Sequence, residues 1–362
     1  MAKLKLKSKF RILGILIFLL GIILIIGCGV FIYLASPVDK NSNAIIEVDI
    51  APGSSTTLIA KELKEKNLIR NELVFKLVAK FHTKKTLKAT VYNLKKSMST
   101  DEIVTVLTEG NNYNPDAVRI TFNEGETVKK FAKKIEKNTN NTYDLVINKL
   151  SDTTYIDSLI ANYWFLTDEI KNENIYISLE GYLSPNTYEF KNKDVTIEEI
   201  IKVMLDQTGK ELEKYRTNIE SSNWTVHNFL TLASMLELEG TNSTNRKMIA
   251  QVFYNRLNLG MNLGSDVTTY YAFQEEMDKD LTAKQFNTSN PYNTRAKNMN
   301  GKLPVGPICN PSISSIDASF NPTDNDYLFF VADKHGKIYY TKTEKEHLNK
   351  VAEIKEKGDW IW

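Results

Sequence analysis

The stretch Leu232-Ala233-Ser234-Met235-Leu236-Glu237-Leu238-Glu239-Gly240 puts two carboxylates into the last turn of an otherwise apolar segment. Thr225 is a suitable N-cap, because its hydroxyl can accept a hydrogen bond from the first turn, and Gly240 is suited to end a helix. The pattern therefore predicts a buried helix over 225–239. Helical residues advance by about 100° each, so Glu237 and Glu239 point roughly 200° apart and cannot both face one cleft.

The two carboxylates are expected to differ in environment. Glu237 falls on the stripe of Leu230 and Ala233, the side expected to face the core, whereas Glu239 lies on the opposite face, beside Met235. Apolar neighbours and the dipole at a helix C-terminus both favour the neutral form of a carboxyl, as a general acid requires. Alternatively, either carboxylate accepts hydrogen bonds from backbone or arginine and is purely structural. The spacing leaves both interpretations open.

Outward from this helix, the pattern predicts a mixed α+β domain over 175–362. Helical periodicity marks 195–220 and 244–258. Tyr327-Leu328-Phe329-Phe330-Val331-Ala332 is typical of a strand, and His335-Gly336 predicts a hairpin after it.

A smaller βα module is predicted over 45–137, where a strand–turn–helix pattern repeats. Ile50-Ala51-Pro52-Gly53 precedes one amphipathic helix, and Phe122-Asn123-Glu124-Gly125 precedes another of similar sequence. The repeat is compatible with plain βα modularity and with a glycan-binding module, and the spacing alone favours the former.

The N-terminal residues predict membrane anchoring. Residues 1–11 form a basic tail, and 12–34 contain no charge, which is roughly 35 Å of helix against a hydrocarbon core of about 30 Å. We therefore expect a transmembrane helix over 12–35 in a single-pass cell-membrane protein, with a cytoplasmic N-terminus and an extracytoplasmic catalytic domain. Ile25-Ile26-Gly27-Cys28 also resembles a lipoprotein processing site, in which Cys28 would be lipidated.

Charge and ligand spacing exclude several classes of function. The net charge is +2 and the basic tail contributes +5, so the rest of the chain is acidic and nucleic acid is not an expected partner. The four histidines are scattered and no zinc or phosphate-binding motif occurs, so neither a metal nor a cofactor is expected. Cys309 is the only cysteine beyond the apolar segment, which leaves no disulfide framework.

A series of short motifs runs from Glu180 to His347. In chain order they are Glu180-Gly181-Tyr182, Pro185, Thr187-Tyr188, Ala233-Ser234, Glu237, Glu239, Val252-Phe253-Tyr254-Asn255-Arg256-Leu257, Gly260-Met261-Asn262-Leu263, Ser265-Asp266, Thr268, Pro291-Tyr292-Asn293-Thr294, Leu303-Pro304, Gly306-Pro307-Ile308, Asn310-Pro311, Phe330-Val331-Ala332 and His347. Together they resemble the endolytic murein transglycosylases of the MltG, or YceG-like, family, and the first module resembles LysM.

The resemblance implies a peptidoglycan lytic transglycosylase that cuts between N-acetylmuramic acid and N-acetylglucosamine and leaves 1,6-anhydro ends. It implies Glu239 as the catalytic residue. Residues in matched segments that could bind substrate or support the site are Glu237, Glu180, Asn255, Arg256, Asp266, Tyr292 and Asn293. Implied partners are glycan strands and wall-synthesis proteins of the elongation machinery, beside which the enzyme would terminate nascent strands.

Two other functions remain open on the sequence. A two-carboxylate hydrolase would use Asp266 as its second acid, whereas a non-enzymatic wall-binding scaffold would not need Glu239.

Overall fold

A computed structural model describes residue 19 and residues 21–51, 53–81, 86–109 and 117–360. The chain divides into two compact units, Met1–Ala117 and Val118–Trp362. The strands of the described residues form three separate two-stranded antiparallel sheets, and the remaining regular structure is helical.

The first unit holds a two-stranded sheet with two helices between its strands. Its elements are α1 (21–35), β1 (Ile45–Asp49), α2 (Thr56–Glu65), α3 (Glu72–Phe81), β2 (Val91–Lys95) and α4 (Thr100–Glu109). β1 and β2 pair antiparallel with Ile45 opposite Lys95. Its core includes the fully buried Leu63, Phe75 and Tyr92, so this unit has an apolar interior of its own.

The second unit opens with a strand that pairs far along the chain. Its elements are β3 (Val118–Thr121), α5 (Val128–Asn138), α6 (Tyr143–Leu150), α7 (Thr153–Asn162), a 3₁₀ turn (Asp168–Lys171), β4 (Thr187–Phe190), α8 (Ile197–Glu213), α9 (Arg216–Glu220), α10 (Val226–Glu239), α11 (Ser243–Asn258), α12 (Asp266–Phe273), α13 (Ala283–Asn287), a 3₁₀ turn (Lys297–Met299), α14 (Ile313–Phe320), β5 (Phe329–Ala332), β6 (Ile338–Thr341) and α15 (Glu344–Glu356). Val118 of β3 lies opposite Phe190 of β4. Residues 118–190 are thereby tied to the second unit.

Helix α10 lies between the two apolar cores of this unit. Leu230 and Ala233 belong to one core, whereas Leu232 and Met235 belong to the other. A helix that is apolar on all sides is expected where it is buried all round. Its C-terminal turn is therefore held firmly, which fixes the position of the two carboxylates that end it.

Local sequence signals around α10 are confirmed. The Thr225 side chain accepts a hydrogen bond from the Asn228 amide, and Gly240 is the C-cap. A Cβ on Gly240 would lie 2.4 Å from Cγ of Arg246, so the close approach of that arginine requires glycine. The predicted helices around 195–220 and 244–258 are present, as are the predicted strand and its hairpin.

The repeated strand–turn–helix pattern is also present. Gly53 and Gly125 both have positive φ, +84° and +75°, which glycine adopts without the strain that a Cβ imposes. Each is followed by a hydroxyl N-cap, Ser55 for α2 and Thr127 for α5. The two copies lie in different units. The functional division into a domain over 45–137 and one over 175–362 stays a prediction.

The predicted transmembrane helix over 12–35 is corrected. The basic tail, residues 12–18 and residue 20 lie outside the described residues, and α1 spans 21–35. No helix among the described residues is long and apolar enough to cross a membrane. The transmembrane part of the predicted fold, and the single-pass location that depended on it, are wrong on this finding.

Candidate functional site

The Glu239 carboxyl is held by one short hydrogen bond. Glu239 is the last residue of α10, and its Oε1 accepts a hydrogen bond of 2.5 Å from Ser265 Oγ. Ser265 precedes α12, but its hydroxyl makes no capping hydrogen bond to that helix. Its backbone is fixed instead, because Thr294 Oγ1 accepts from the Ser265 amide and Thr268 Oγ1 donates to the Ser265 carbonyl.

The environment of Glu239 favours the protonated carboxyl at neutral pH. The pKa of Glu239 is raised to about 7, chiefly by burial and also by the negative charge of Asp266. The hydrogen bond from Ser265 and the positive charges of Arg295 and Arg256 oppose this rise. A carboxyl with a pKa near the working pH can both give and take a proton, as general acid–base catalysis requires.

Glu239 opens into a cleft of about 510 Å³ in the second unit. One side is formed by residues of the 256–267 region and by Arg295, and the other by β5, β6 and α15. The lining residues that matter for chemistry are Glu239, Arg256, Asp266, Arg295, Phe329, Phe330, His347 and Trp360. The cleft thus combines the half-buried Glu239 carboxyl with further acidic groups, Asp266 and Glu344, two arginines and an aromatic wall.

Asp266 shares this cleft but is already paired. Arg295 Nε donates to Asp266 Oδ1 at 2.5 Å. Burial raises the pKa of Asp266 above its usual value, and Arg295 counteracts that rise. A carboxylate bound to a guanidinium is less free to activate a water than an unpaired one, so the pair acts chiefly on the charge balance around Glu239.

Arg256 and Asn255 hold the wall of the cleft in place. Arg256 Nε donates to the Leu328 carbonyl at 2.5 Å, and its Nη1 donates to the Leu263 carbonyl at 2.8 Å. Asn255 Nδ2 donates to the carbonyls of Asn325 and Tyr327. Helix α11 therefore positions the segment that enters β5. Of the two, only Arg256 also lines the cleft.

The matching family model covers most of the chain. The model of the YceG-like family matches residues 48–353, which include most of both units and every cleft-lining residue except Trp360. The chain belongs to the YceG-like family.

Relatives and a solved structure agree with this family. The "Endolytic murein transglycosylase" of Bacillus subtilis (strain 168) is 39% identical over 334 residues, which are 91% of each chain. The protein of the same name from Streptococcus pneumoniae serotype 2 (strain D39 / NCTC 7466) is 36% identical over 333 residues, which are 88% of this chain and 60% of that protein. The crystal structure of a yceG-like protein from Listeria monocytogenes matches with 38% identity and a TM-score of 0.61, over 85% of this chain and 99% of that one.

In this YceG-like protein, Glu237 has a different set of partners from Glu239. Its side chain is only 6% exposed, and Arg246 Nη2 donates to Oε1 at 2.7 Å. Its Oε2 accepts from the Ser312 amide at 2.8 Å, from Ser312 Oγ at 2.5 Å and from Ser315 Oγ at 2.7 Å. As the helical spacing predicts, the two carboxylates face different elements. Glu237 ties α10 to the start of α14, and its arginine partner is Arg246.

Glu180 is a second buried carboxyl, outside the residues that line the cleft. It is 1% exposed, and it accepts hydrogen bonds from the Val128 amide at 3.0 Å, Asn310 Nδ2 at 3.2 Å and the Tyr271 hydroxyl at 3.1 Å. Burial raises the pKa of Glu180 to about 8. Because Tyr271 belongs to α12, Glu180 helps to hold the helix that follows Ser265.

Tyr292 and Asn293 are fully buried and serve packing. The Tyr292 ring packs on Tyr176 and Tyr271 with centroids 4.8 Å away in each case. Asn293 Oδ1 accepts a hydrogen bond from Thr269 Oγ1 at 2.7 Å. Its Nδ2 donates to the carbonyl of Gln285 in α13 and to that of Thr288, the residue directly after α13. Neither residue lines the cleft, so their role as substrate-binding residues stays a prediction.

Sequence reasoning missed several residues around Glu239. Ser265 and His347 stood in matched motifs but carried no assigned role, and Arg295 and Phe329 stood outside the motifs. The signal that could have found Ser265 is weak, because a serine before a helix is more simply interpreted as its N-cap. Within the described residues, no group of three or more histidine, cysteine, aspartate or glutamate side chains could hold a metal ion.

Proposed function

We propose that this YceG-like protein is an endolytic lytic transglycosylase that cleaves peptidoglycan glycan strands between N-acetylmuramic acid and N-acetylglucosamine. The observation that carries the proposal is the half-buried Glu239 carboxyl, which lines a cleft of about 510 Å³ and has a pKa raised to about 7 by its surroundings. Curated relatives of the family are named endolytic murein transglycosylases, which supports the same reaction.

The first step is protonation of the leaving group. Glu239 in its acid form donates its proton to the glycosidic oxygen, and the bond from muramoyl C1 to that oxygen breaks. The N-acetylglucosamine side leaves with a free hydroxyl. Positive charge develops at C1, and the carboxylate now present on Glu239 stabilises it.

The second step closes the ring and restores the enzyme. The C6 hydroxyl of the same muramoyl residue attacks C1, and its proton passes to the Glu239 carboxylate. The product is a 1,6-anhydro end, and no water is consumed. General acid–base help of this kind contributes roughly 10²–10⁴-fold, so positioning and charge stabilisation supply the rest.

Ser265 sets the balance between the two steps. Its hydrogen bond favours the carboxylate that the second step needs, whereas burial and Asp266 favour the acid that the first step needs. One carboxyl can serve in both steps because the net result of these influences is a pKa of about 7.

The cellular role that we propose is termination or release of nascent strands beside wall-synthesis proteins of the elongation machinery. An internal cut produces a new chain end, as the family resemblance implies. The first unit is proposed to bind glycan as a LysM-like module, which its strand–helix–helix–strand order from β1 to β2 supports.

Mass spectrometry of muropeptides released by the full-length protein tests the reaction. Wild type is expected to give internal fragments ending in 1,6-anhydro-muramic acid, and Glu239→Gln is expected to give none while remaining folded. Glu237→Gln is the matched control, because it changes the same group on the other face of the same helix and is expected to keep the product chemistry.

Two other product patterns would reject the proposal. Reducing ends from wild type, lost in Asp266→Asn, would mean a two-carboxylate hydrolase. Binding to peptidoglycan without any product, from wild type and variants alike, would mean a non-enzymatic scaffold.

A further inference from the structure

The wall of the cleft formed by the C-terminal segment carries an aromatic group that none of the assigned roles uses. Phe329 and Phe330 of β5, His347 of α15 and Trp360 all line the cleft that contains Glu239. Aromatic side chains give a sugar a flat apolar surface, and their polar edges supply hydrogen bonds. This wall is therefore suited to one of the sugar rings on either side of the scissile bond.

Within this wall, His347 is held by stacking. Its ring lies on Phe329 with centroids 5.4 Å apart and an interplanar angle of 25°. The guanidinium of Arg256 lies 4.9 Å from the centre of the same Phe329 ring. Because Arg256 is itself bound to backbone carbonyls, it holds the Phe329 ring on which the imidazole stacks.

The polar atoms of His347 lack partners. Nδ1 is buried and has no hydrogen bond among the described residues. Because Nδ1 is buried, a ligand in the cleft can reach only Nε2, the other ring nitrogen. A structural histidine would be expected to spend at least one ring nitrogen on a neighbour, as His227 does with the Val305 carbonyl at 2.9 Å.

The surroundings of His347 favour the neutral imidazole. Burial lowers the pKa of His347, the nearby Arg256 lowers it further, and Glu344 opposes the fall. A neutral imidazole carries one N–H, and a buried unpaired N–H is rarer than a buried unpaired acceptor. The proton is therefore assigned to Nε2, and the buried Nδ1 keeps its lone pair.

We propose that His347 is a substrate-binding residue, whose Nε2–H donates to the acetamido carbonyl oxygen of an amino sugar bound in the Glu239 cleft. Phe329 holds the ring in place, and the imidazole recognises the N-acetyl group that both sugars of the strand carry. This assignment rests on the proposed function, since the ligand is the glycan strand of that reaction.

Binding without turnover tests the assignment separately from catalysis. Full-length Glu239→Gln protein would be titrated calorimetrically with soluble, peptide-free glycan strands, and with the same strands after de-N-acetylation. Adding His347→Ala is expected to weaken binding of the acetylated strand roughly tenfold, the loss of one well-placed hydrogen bond. His347→Gln, which keeps a donor, is expected to recover part of the loss.

Two controls keep the test specific. His335→Ala changes a histidine of the same C-terminal segment that is 67% exposed, interacts with Asp359 and does not line the cleft, so binding is expected to stay unchanged. De-N-acetylated strands are expected to bind the His347→Ala protein and its parent equally. In proteins with Glu239 intact, His347→Ala is expected to raise KM with little change in kcat.

Either of two results would overturn the proposal. One is equal affinity of the His347→Ala protein and its parent for acetylated strands. The other is an equal loss for acetylated and de-N-acetylated strands, which would mean that the imidazole only packs the wall. If wild type forms no anhydro product while the binding difference holds, the proposed reaction fails and the His347 assignment stands.

Discussion

Removing the Ser265 hydroxyl should move the pH profile of the reaction without removing the acid. The hydroxyl donates to Glu239 Oε1 at 2.5 Å and favours the carboxylate, so Ser265→Ala should raise the Glu239 pKa. Hydrogen bonds to charged groups contribute about 1.5–3 kcal/mol, and one pKa unit corresponds to about 1.4 kcal/mol. Water from the cleft replaces part of the lost bond, so we expect a shift of about one unit.

The sign of the shift follows from the first step. The acid form of Glu239 starts the reaction, so kcat/KM falls as the pH rises through a pKa of about 7 in wild type. In Ser265→Ala this fall should occur about one pH unit higher. The measurement is the rate of formation of anhydro ends by chromatography, over roughly pH 5 to 9.

A matched control comes from the other carboxylate of the same helix turn. Ser312 Oγ donates to Glu237 Oε2, also at 2.5 Å, so Ser312→Ala removes the same kind of bond from a carboxyl outside the cleft. It should lower stability and leave the midpoint of the profile in place. An unchanged or lowered midpoint in Ser265→Ala, or an equal shift in both variants, would refute the reasoning.

Three further variants test charges elsewhere in the second unit. Asp266→Asn should shift the fall of kcat/KM with rising pH toward lower pH by roughly half a unit, because the aspartate charge raises the Glu239 pKa. The variant should still form anhydro products. Burial raises the pKa of Glu180 to about 8, so wild type should lose unfolding free energy as the pH rises toward and through 8, and Glu180→Gln should flatten that loss in urea titrations. Arg246→Ala should cost about 3 kcal/mol in the same urea assay, since it strips a buried carboxylate of its partner. The exposed Arg119, paired with Glu189 at 2.9 Å, is the control, and Arg119→Ala should cost less than about 1 kcal/mol.

Each of these has a contradicting result. Loss of all products in Asp266→Asn would assign that aspartate a direct chemical role. If the unfolding free energies of wild type and Glu180→Gln change equally with pH, Glu180 has the same pKa in the folded and the unfolded chain. Equal costs for the two arginine variants would mean that burial does not govern the strength of these ion pairs.

Local features of this protein were predictable because their causes lie within a few residues. The α10 helix, its Thr225 cap and its Gly240 end follow from hydrogen bonds and periodicity inside one segment. The two strand–turn–helix copies follow from glycines with positive φ. The same local view predicted a transmembrane helix from an apolar run, whereas no helix among the described residues is long and apolar enough to cross a membrane.

The sequence by itself determined that two carboxylates end a buried helix on opposite faces, since helical geometry alone sets that angle. Only the tertiary structure decided what each one meets. Glu237 finds its hydroxyl partner 75 residues away at Ser312, and Glu239 finds Ser265 26 residues away. Partners at such separations are selected by the packing of whole helices, and packing of that kind fixes the burial and charge that give Glu239 a pKa of about 7.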